Sequence, residues 1–193
     1  MAREIKNQYS LLIVSASEQF NAATKKSLPT GRFHTIEIRK SASFAKRELL
    51  ARRYDMVLVN APLSDELGID FVMDIYNKFS VSIILAIPGE IYQDVTERMI
   101  DHGILTIAKP IKDNSLGRSI RLQLAFLDKL KKVQKKVDNL EEKMEELRLT
   151  DRAKLILVQN GMQEEEAHKY IIRQAMDKGM TKRAVAEDII ESA

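Results

Sequence analysis

The sequence predicts an α/β protein with three parts: a five-stranded parallel sheet, a long coiled-coil helix and a small three-helix domain. Three observations predict it. Across residues 1–117, five short apolar, β-prone runs alternate with amphipathic helical patterns. From residue 118 to 147, apolar residues recur at alternating spacings of four and three, which is a heptad seam. Residues 148–193 hold three shorter helical patterns, punctuated by Asn160-Gly161 and Lys178-Gly179. The chain therefore divides into regions 1–117, 118–147 and 148–193.

Composition narrows the function classes. A hydrophobic fraction of 45% supports a real core, and 31% charged residues support a polar surface. No apolar run approaches the length of a membrane span, and Met-Ala-Arg-Glu-Ile-Lys is no signal peptide. The absence of Cys excludes disulfides and thiolate metal sites and fits a reducing cytoplasm, where the protein is expected. A net charge of +3 does not by itself identify a nucleic-acid binder.

The predicted strands are residues 10–14, 35–38, 56–59, 81–87 and 104–108. Helical patterns lie near 18–27, 41–52, 67–79 and 91–102. Continuous apolar strands alternating with helices imply a parallel sheet covered on both faces. Five such strands match the flavodoxin-like order, whose ligands sit at the carboxyl ends of the strands. Ser41 is a predicted N-cap, and Gly103 closes the helix before the last strand.

Function is therefore read at those strand ends. The first strand is followed by Ser15-Ala16, the third runs into Asn60-Ala61-Pro62, the fourth ends Leu85-Ala86-Ile87-Pro88, and the fifth is followed by Lys109-Pro110. This layout resembles the receiver domain of two-component response regulators over residues 9–127. In that family an acidic pair follows the first strand and a phosphoacceptor Asp ends the third. A Ser or Thr ends the fourth, and Lys-Pro follows the fifth. Here Ser15 and Ala16 stand for the acids, Asn60 for the phosphoacceptor and Ala86 for the hydroxyl, so the resemblance implies a degenerate site and a pseudo-receiver. Phosphorylation needs a carboxylate nucleophile and an oxygen-ligated Mg²⁺, and a neutral amide supplies neither. From the residues alone, Lys109 is a retained surface or strand-end lysine, with Pro110 shaping the turn.

No other constellation carries chemistry. His34, His102 and His168 are widely separated and lack metal-ligand spacing, and the chain has no Gly-rich phosphate cradle of the usual kinds. No nucleophile–base arrangement is present. The protein is expected to be no enzyme and to need no cofactor or metal.

The heptad seam consists of Phe126, Leu130, Val133, Val137, Leu140, Met144 and Leu147. A helix of roughly 30 residues spans about 45 Å, too long for one face of a small domain. Its seam needs a partner, and a second copy of the chain is the simplest; the chain's own first domain is the alternative. In a parallel pair, Lys136 meets Glu141 of the other copy, Lys129 meets Gln134, and Lys143 faces Arg148. Such rim pairs are worth tenths of a kcal/mol and do not decide direction. Lysines crowd the first half of the rod and glutamates the second, as on a solvated helix exterior.

After Leu147 the next seam position is Asp151, and the heptad lapses. Leu149, Ala153, Ile156 and Leu157 form the face of the first tail helix, and Ala167, Ile171 and Ala175 that of the second. Thr181 caps the third, whose face is Val185, Ile189 and Ile190. Arg152-Ala153-Lys154, the run Glu164 to Tyr170, Arg173-Gln174-Ala175-Met176 and Ala184 to Ile190 resemble the ANTAR domain, an RNA-binding antitermination module found behind receivers. The pattern departs at Leu155, where Gly commonly follows Ala-Lys, and at Leu147 and Thr150. The resemblance implies RNA binding, with Arg152, Lys154, Lys169, Tyr170, Arg173, Lys182 and Arg183 as the candidate contacts. The tail has eight Lys/Arg and eight Asp/Glu, so binding must rest on local clustering and dimeric duplication. Solvated charges with Tyr170 at the core edge are the plain alternative.

These readings combine into a dimeric RNA-binding antiterminator. Its expected partners are a hairpin-containing leader transcript, a second copy of the chain, and a sensor or other regulatory protein. A signalling adaptor with a protein-binding tail and a DNA-binding response regulator are the alternatives, although no basic recognition helix stands out.

Overall fold

The computed structural model describes residues 7–112 and 114–193. Residues 1–6, where a signal peptide is not expected, and Asp113 lie outside the described residues. The chain forms two compact units, Met1–Lys129 and Leu130–Ala193.

In the first unit the strands are β1 (Tyr9–Val14), β2 (Phe33–Arg39), β3 (Met56–Asn60), β4 (Ser82–Pro88) and β5 (Leu105–Lys109). Between them lie α1 (Glu18–Ser27), α2 (Ala42–Ala51), α3 (Ile69–Lys78) and α4 (Tyr92–Ile100), with a short 3-10 turn at Gly89–Ile91. All neighbouring strands are parallel, in the order β2-β1-β3-β4-β5. This is the predicted flavodoxin-like sheet. Ser41 caps α2, its Oγ accepting from the Phe44 N–H at 3.3 Å. Gly103, at φ 66°, closes the turn after α4.

Period-two alternation separates two core layers. Leu12, Val14, Val57, Val59, Leu85 and Ile87 face α2, α3 and α4. Leu11, Ile13, Met56, Leu58, Ile84 and Ile107 face Phe20 of α1 and the start of the long helix α5 (Ser115–Gln159). Leu116, Ile120 and Leu124 of α5 are fully or almost fully buried in that layer. Burying each contributes about 1.5–3 kcal/mol, which makes the base of the rod a structural part of the first unit.

A polar clamp fixes the same segment. Asp128 accepts hydrogen bonds from Tyr9 Oη at 2.8 Å, Asn7 Nδ2 at 3.1 Å and Arg32 Nη2 at 2.7 Å. The Arg32 guanidinium also lies 5.6 Å from the centre of the Tyr9 ring. Burial pushes the Asp128 carboxyl upward, but the bonds from Tyr9, Asn7 and Arg32 outweigh it and hold the group below its ordinary value. Burial and the bond to Asp128 push the Tyr9 phenol to about 12. A carboxyl depressed in the folded state contributes stability that is present above its unfolded pKa of about 3.9 and lost as pH falls through the lower folded value. Asp128→Asn is therefore expected to cost about 2–3 kcal/mol at pH 7, because Arg32 loses its charged partner. The difference from wild type should shrink below about pH 4. Urea titrations at pH 7 and pH 3 measure it, and equal gaps at both would refute the assignment.

The long helix is longer than the seam predicts. It starts at Ser115 rather than Arg118 and continues past Leu147 to Gln159. The heptad lapses at Asp151, but Leu149, Ala153 and Leu157 on another face take over by packing into the second unit's core. No glycine intervenes between Leu147 and Gly161, at φ 98°, where the Met162 N–H closes on the Leu157 carbonyl.

The remaining helices of the second unit are α6 (Glu164–Lys178) and α7 (Lys182–Glu191). Three glutamates in the first turn of α6 complement its dipole, and Thr181 Oγ1 caps α7 by accepting from the Ala184 N–H. Ala153, Ala167, Ile171, Val185 and Ala186 are almost fully buried; the small alanines let the helices approach closely. Among the described residues no helix is long and apolar enough to cross a membrane.

Candidate functional site

Ser15 follows β1, Asn60 ends β3, and Lys109 ends β5. The register places Asn60 opposite Ala86 and Pro88 opposite Lys109. Three of these residues form one hydrogen-bonded chain. Lys109 Nζ donates to Asn60 Oδ1 at 3.0 Å and to the Ala61 carbonyl oxygen. Asn60 Nδ2 donates to Ser15 Oγ at 3.0 Å, and that oxygen also accepts the Ser17 N–H at 3.1 Å. An ammonium only donates, so the amide must turn its oxygen to Lys109 and its NH2 to Ser15. Ser15 is fully buried and Asn60 nearly so. Lys109 is at the strand end as expected, but it is not a solvated surface lysine. It is half-buried, and burial pushes its ammonium below the ordinary value. Ala16 is exposed beside the site and brings no ligand atom. The arrangement is a spent polar network: the amide's oxygen and nitrogen are both engaged.

All seven seam residues are exposed, from 40% for Val137 to 63% for Leu130 and Met144. They form an apolar stripe along α5 that is left uncovered within one chain.

The tail candidates fall into two groups. Lys154 is ion-paired to Asp151 at 2.6 Å, and Arg183 to Glu187 at 2.8 Å. The Glu187 carboxylate raises the Arg183 guanidinium further above its ordinary value. Arg152, Lys169, Arg173 and Lys182 are exposed, with no ion-pair partner among the described residues. Tyr170, at 39% exposure, lines a groove of about 300 Å³ together with Asn160, Gln174 and Asp188. In the sequence Asn160 reads as a helix end and Gln174 as part of a motif, and neither is among the candidate contacts. Their signal is spacing: Tyr170, Gln174 and Lys178 recur every four residues along α6, as do Arg152 and Ile156 at the end of α5 and Asn160 just past it.

The ANTAR domain family matches residues 138–190, from the second half of the rod into the last turn of α7. The transcriptional regulatory protein PdtaR of Mycobacterium tuberculosis, from strains CDC 1551 and H37Rv, is 30% identical over 140 residues. The match covers 72% of this chain and 68% of the relative. This chain belongs to the ANTAR-domain transcriptional regulators. Its first unit shares the fold of solved receiver domains. The signal receiver domain of an HD-domain protein from Pseudomonas fluorescens Pf-5 aligns with a TM-score of 0.56 at 21% identity, covering 68% of this chain and 97% of that one. The receiver domain of a LuxO repressor protein from Vibrio parahaemolyticus gives the same TM-score and identity over 65% and 96%. In this ANTAR regulator the receiver fold thus carries Ser15, Asn60 and Lys109 at its strand ends.

Proposed function

We propose that this ANTAR regulator is a cytoplasmic, non-enzymatic antiterminator that binds a hairpin-containing leader RNA as a dimer. In this reading residues 1–117 form a pseudo-receiver controlled by a partner protein or ligand rather than by phosphoryl transfer. Residues 118–147 form the dimeric coiled coil, and residues 148–193 carry the RNA surface. The observation that carries the reading is the ANTAR match across helices whose Arg152, Lys169, Arg173 and Lys182 are exposed and unpaired among the described residues. A dimer doubles this cation set and presents it to two RNA loops. Stabilising such an RNA prevents a terminator hairpin from forming.

Gel shifts with leader hairpin RNA against duplex DNA of equal length test the proposal. Affinity for RNA should fall with salt at a slope of about −0.7 per phosphate neutralised. Arg152→Ala is expected to weaken binding and reduce that slope by about 0.7, with helicity unchanged. Lys154→Ala should weaken it less, because Lys154 is partly engaged by Asp151. Preference for duplex DNA, or salt-insensitive binding, would reject the RNA reading.

A further inference from the structure

We infer that the groove between α5, α6 and α7 seats one unpaired RNA base, stacked on Tyr170 and read at its edge by Asn160, Gln174 and Asp188. The inference rests on the RNA-binding reading and adds the receptor for the base. Three observations carry it. The groove, at about 300 Å³, lies at the lower end of ligand-site volumes, a size for one planar group rather than a stretch of chain. Its walls combine the half-exposed Tyr170 ring with two neutral amides, one carboxylate and the Lys178 ammonium, over an apolar floor that includes Val185. None of those five polar side chains makes a hydrogen bond or ion pair among the described residues, so their donors and acceptors are free for a ligand.

That chemistry fits a nucleobase. An aromatic face stacks on a base, amides pair bidentately with an adenine edge, and a carboxylate accepts from an exocyclic amine. In an A-form RNA helix these edges lie in a deep, narrow groove and the base faces are already stacked, whereas a hairpin loop can splay a base out. Lys178 supplies a cation for the phosphate beside the inserted base. Arg152 lies one turn before Ile156 on the row of α5 that lines the groove, so the backbone has a second cation close by. Bases with an exocyclic amine, adenine above all, are favoured over uracil.

The test uses the full chain and two probes. In the first arm, adenosine and uridine monophosphates are titrated while the side-chain amide signals of Asn160 and Gln174 are followed by NMR. The adenosine compound should move both signals and bind several-fold tighter than the uridine compound. Tyr170→Ala should abolish the shifts, Tyr170→Phe should keep them, and Gln174→Ala should remove the discrimination. In the second arm, hairpin RNAs with one stem and either an oligo(A) or an oligo(U) loop are compared by gel shift. Tyr170→Ala should weaken the oligo(A) hairpin by about 5- to 100-fold, the usual range for losing one stacked base. Unmoved amide signals, equal shifts with both nucleotides, or unaltered hairpin affinity in Tyr170→Ala while Arg152→Ala weakens it, would overturn the groove and leave RNA binding standing. Amide shifts without any hairpin binding would overturn the RNA reading and keep the groove as a base site.

Discussion

Val137→Asp is expected to leave the chain folded but monomeric, and with it to remove most of its affinity for a two-hairpin RNA. Val137 sits at the middle of the seam and is 40% exposed within one chain, so neither unit's core depends on it. In a dimer the same side chain is buried twice, once from each copy. Losing both valines removes about 1.5–3 kcal/mol per side chain, and two carboxylates are then placed in an apolar seam. Even after relaxation, several kcal/mol are lost, so dimer affinity should fall on the order of 10³-fold or more. RNA binding should fall too, because two linked tails gain roughly 10²–10⁴ in avidity over one. Sedimentation equilibrium, far-UV circular dichroism and gel shifts measure the three consequences separately. A variant that remains dimeric and binds RNA as wild type would refute the seam as the dimer interface.

The sheet was legible because its strands are continuous apolar runs bounded by turn residues, and that pattern has few other solutions. The positions of Ser15, Asn60 and Lys109 followed from strand ends alone. Their bonding did not, because it depends on the parallel register that carries β3 across β4 to β5 and draws Lys109 inward over Asn60. Asp128 was illegible for a related reason. It lies off the seam, where a heptad pattern implies solvent, yet Tyr9 and Arg32, far away in sequence, converge on it. The far end of α5 shows the limit of periodicity. A heptad reports the partner-facing stripe, and the helix persists past its lapse because another face finds a different core at Ala153. In the tail the basic candidates could be named, but which were already ion-paired depended on i,i+3 and i,i+4 acids at Asp151 and Glu187.

Asn60→Asp is expected to restore a carboxylate at the end of β3 without restoring phosphoryl acceptance. The new group would meet Lys109, whose ammonium is now held by two carbonyl oxygens and depressed by burial. An ion pair there raises the lysine's pKa and compensates its desolvation, so the fold should tolerate the change. The exchange removes the Nδ2 donor, but the Ser15 hydroxyl can rotate and donate to the carboxylate instead. Acceptance of a phosphoryl group is another matter. It needs a hard divalent cation to neutralise the transferring oxygens, and such an ion is held mainly by carboxylates. The turn after β1 brings one neutral hydroxyl, Ser15, and Ala16, which has no ligand atom. Incubation of the Asn60→Asp chain with acetyl phosphate and Mg²⁺ should therefore give no shifted band in a phosphate-affinity gel. Replacing Ser15 and Ala16 by Asp in the same background is the matching gain-of-function arm, and a shifted band appearing only there would assign the missing function to the acidic pair. A shifted band from the single Asn60→Asp variant would show that the site needs only a nucleophile, and would overturn the account of this domain as a pseudo-receiver.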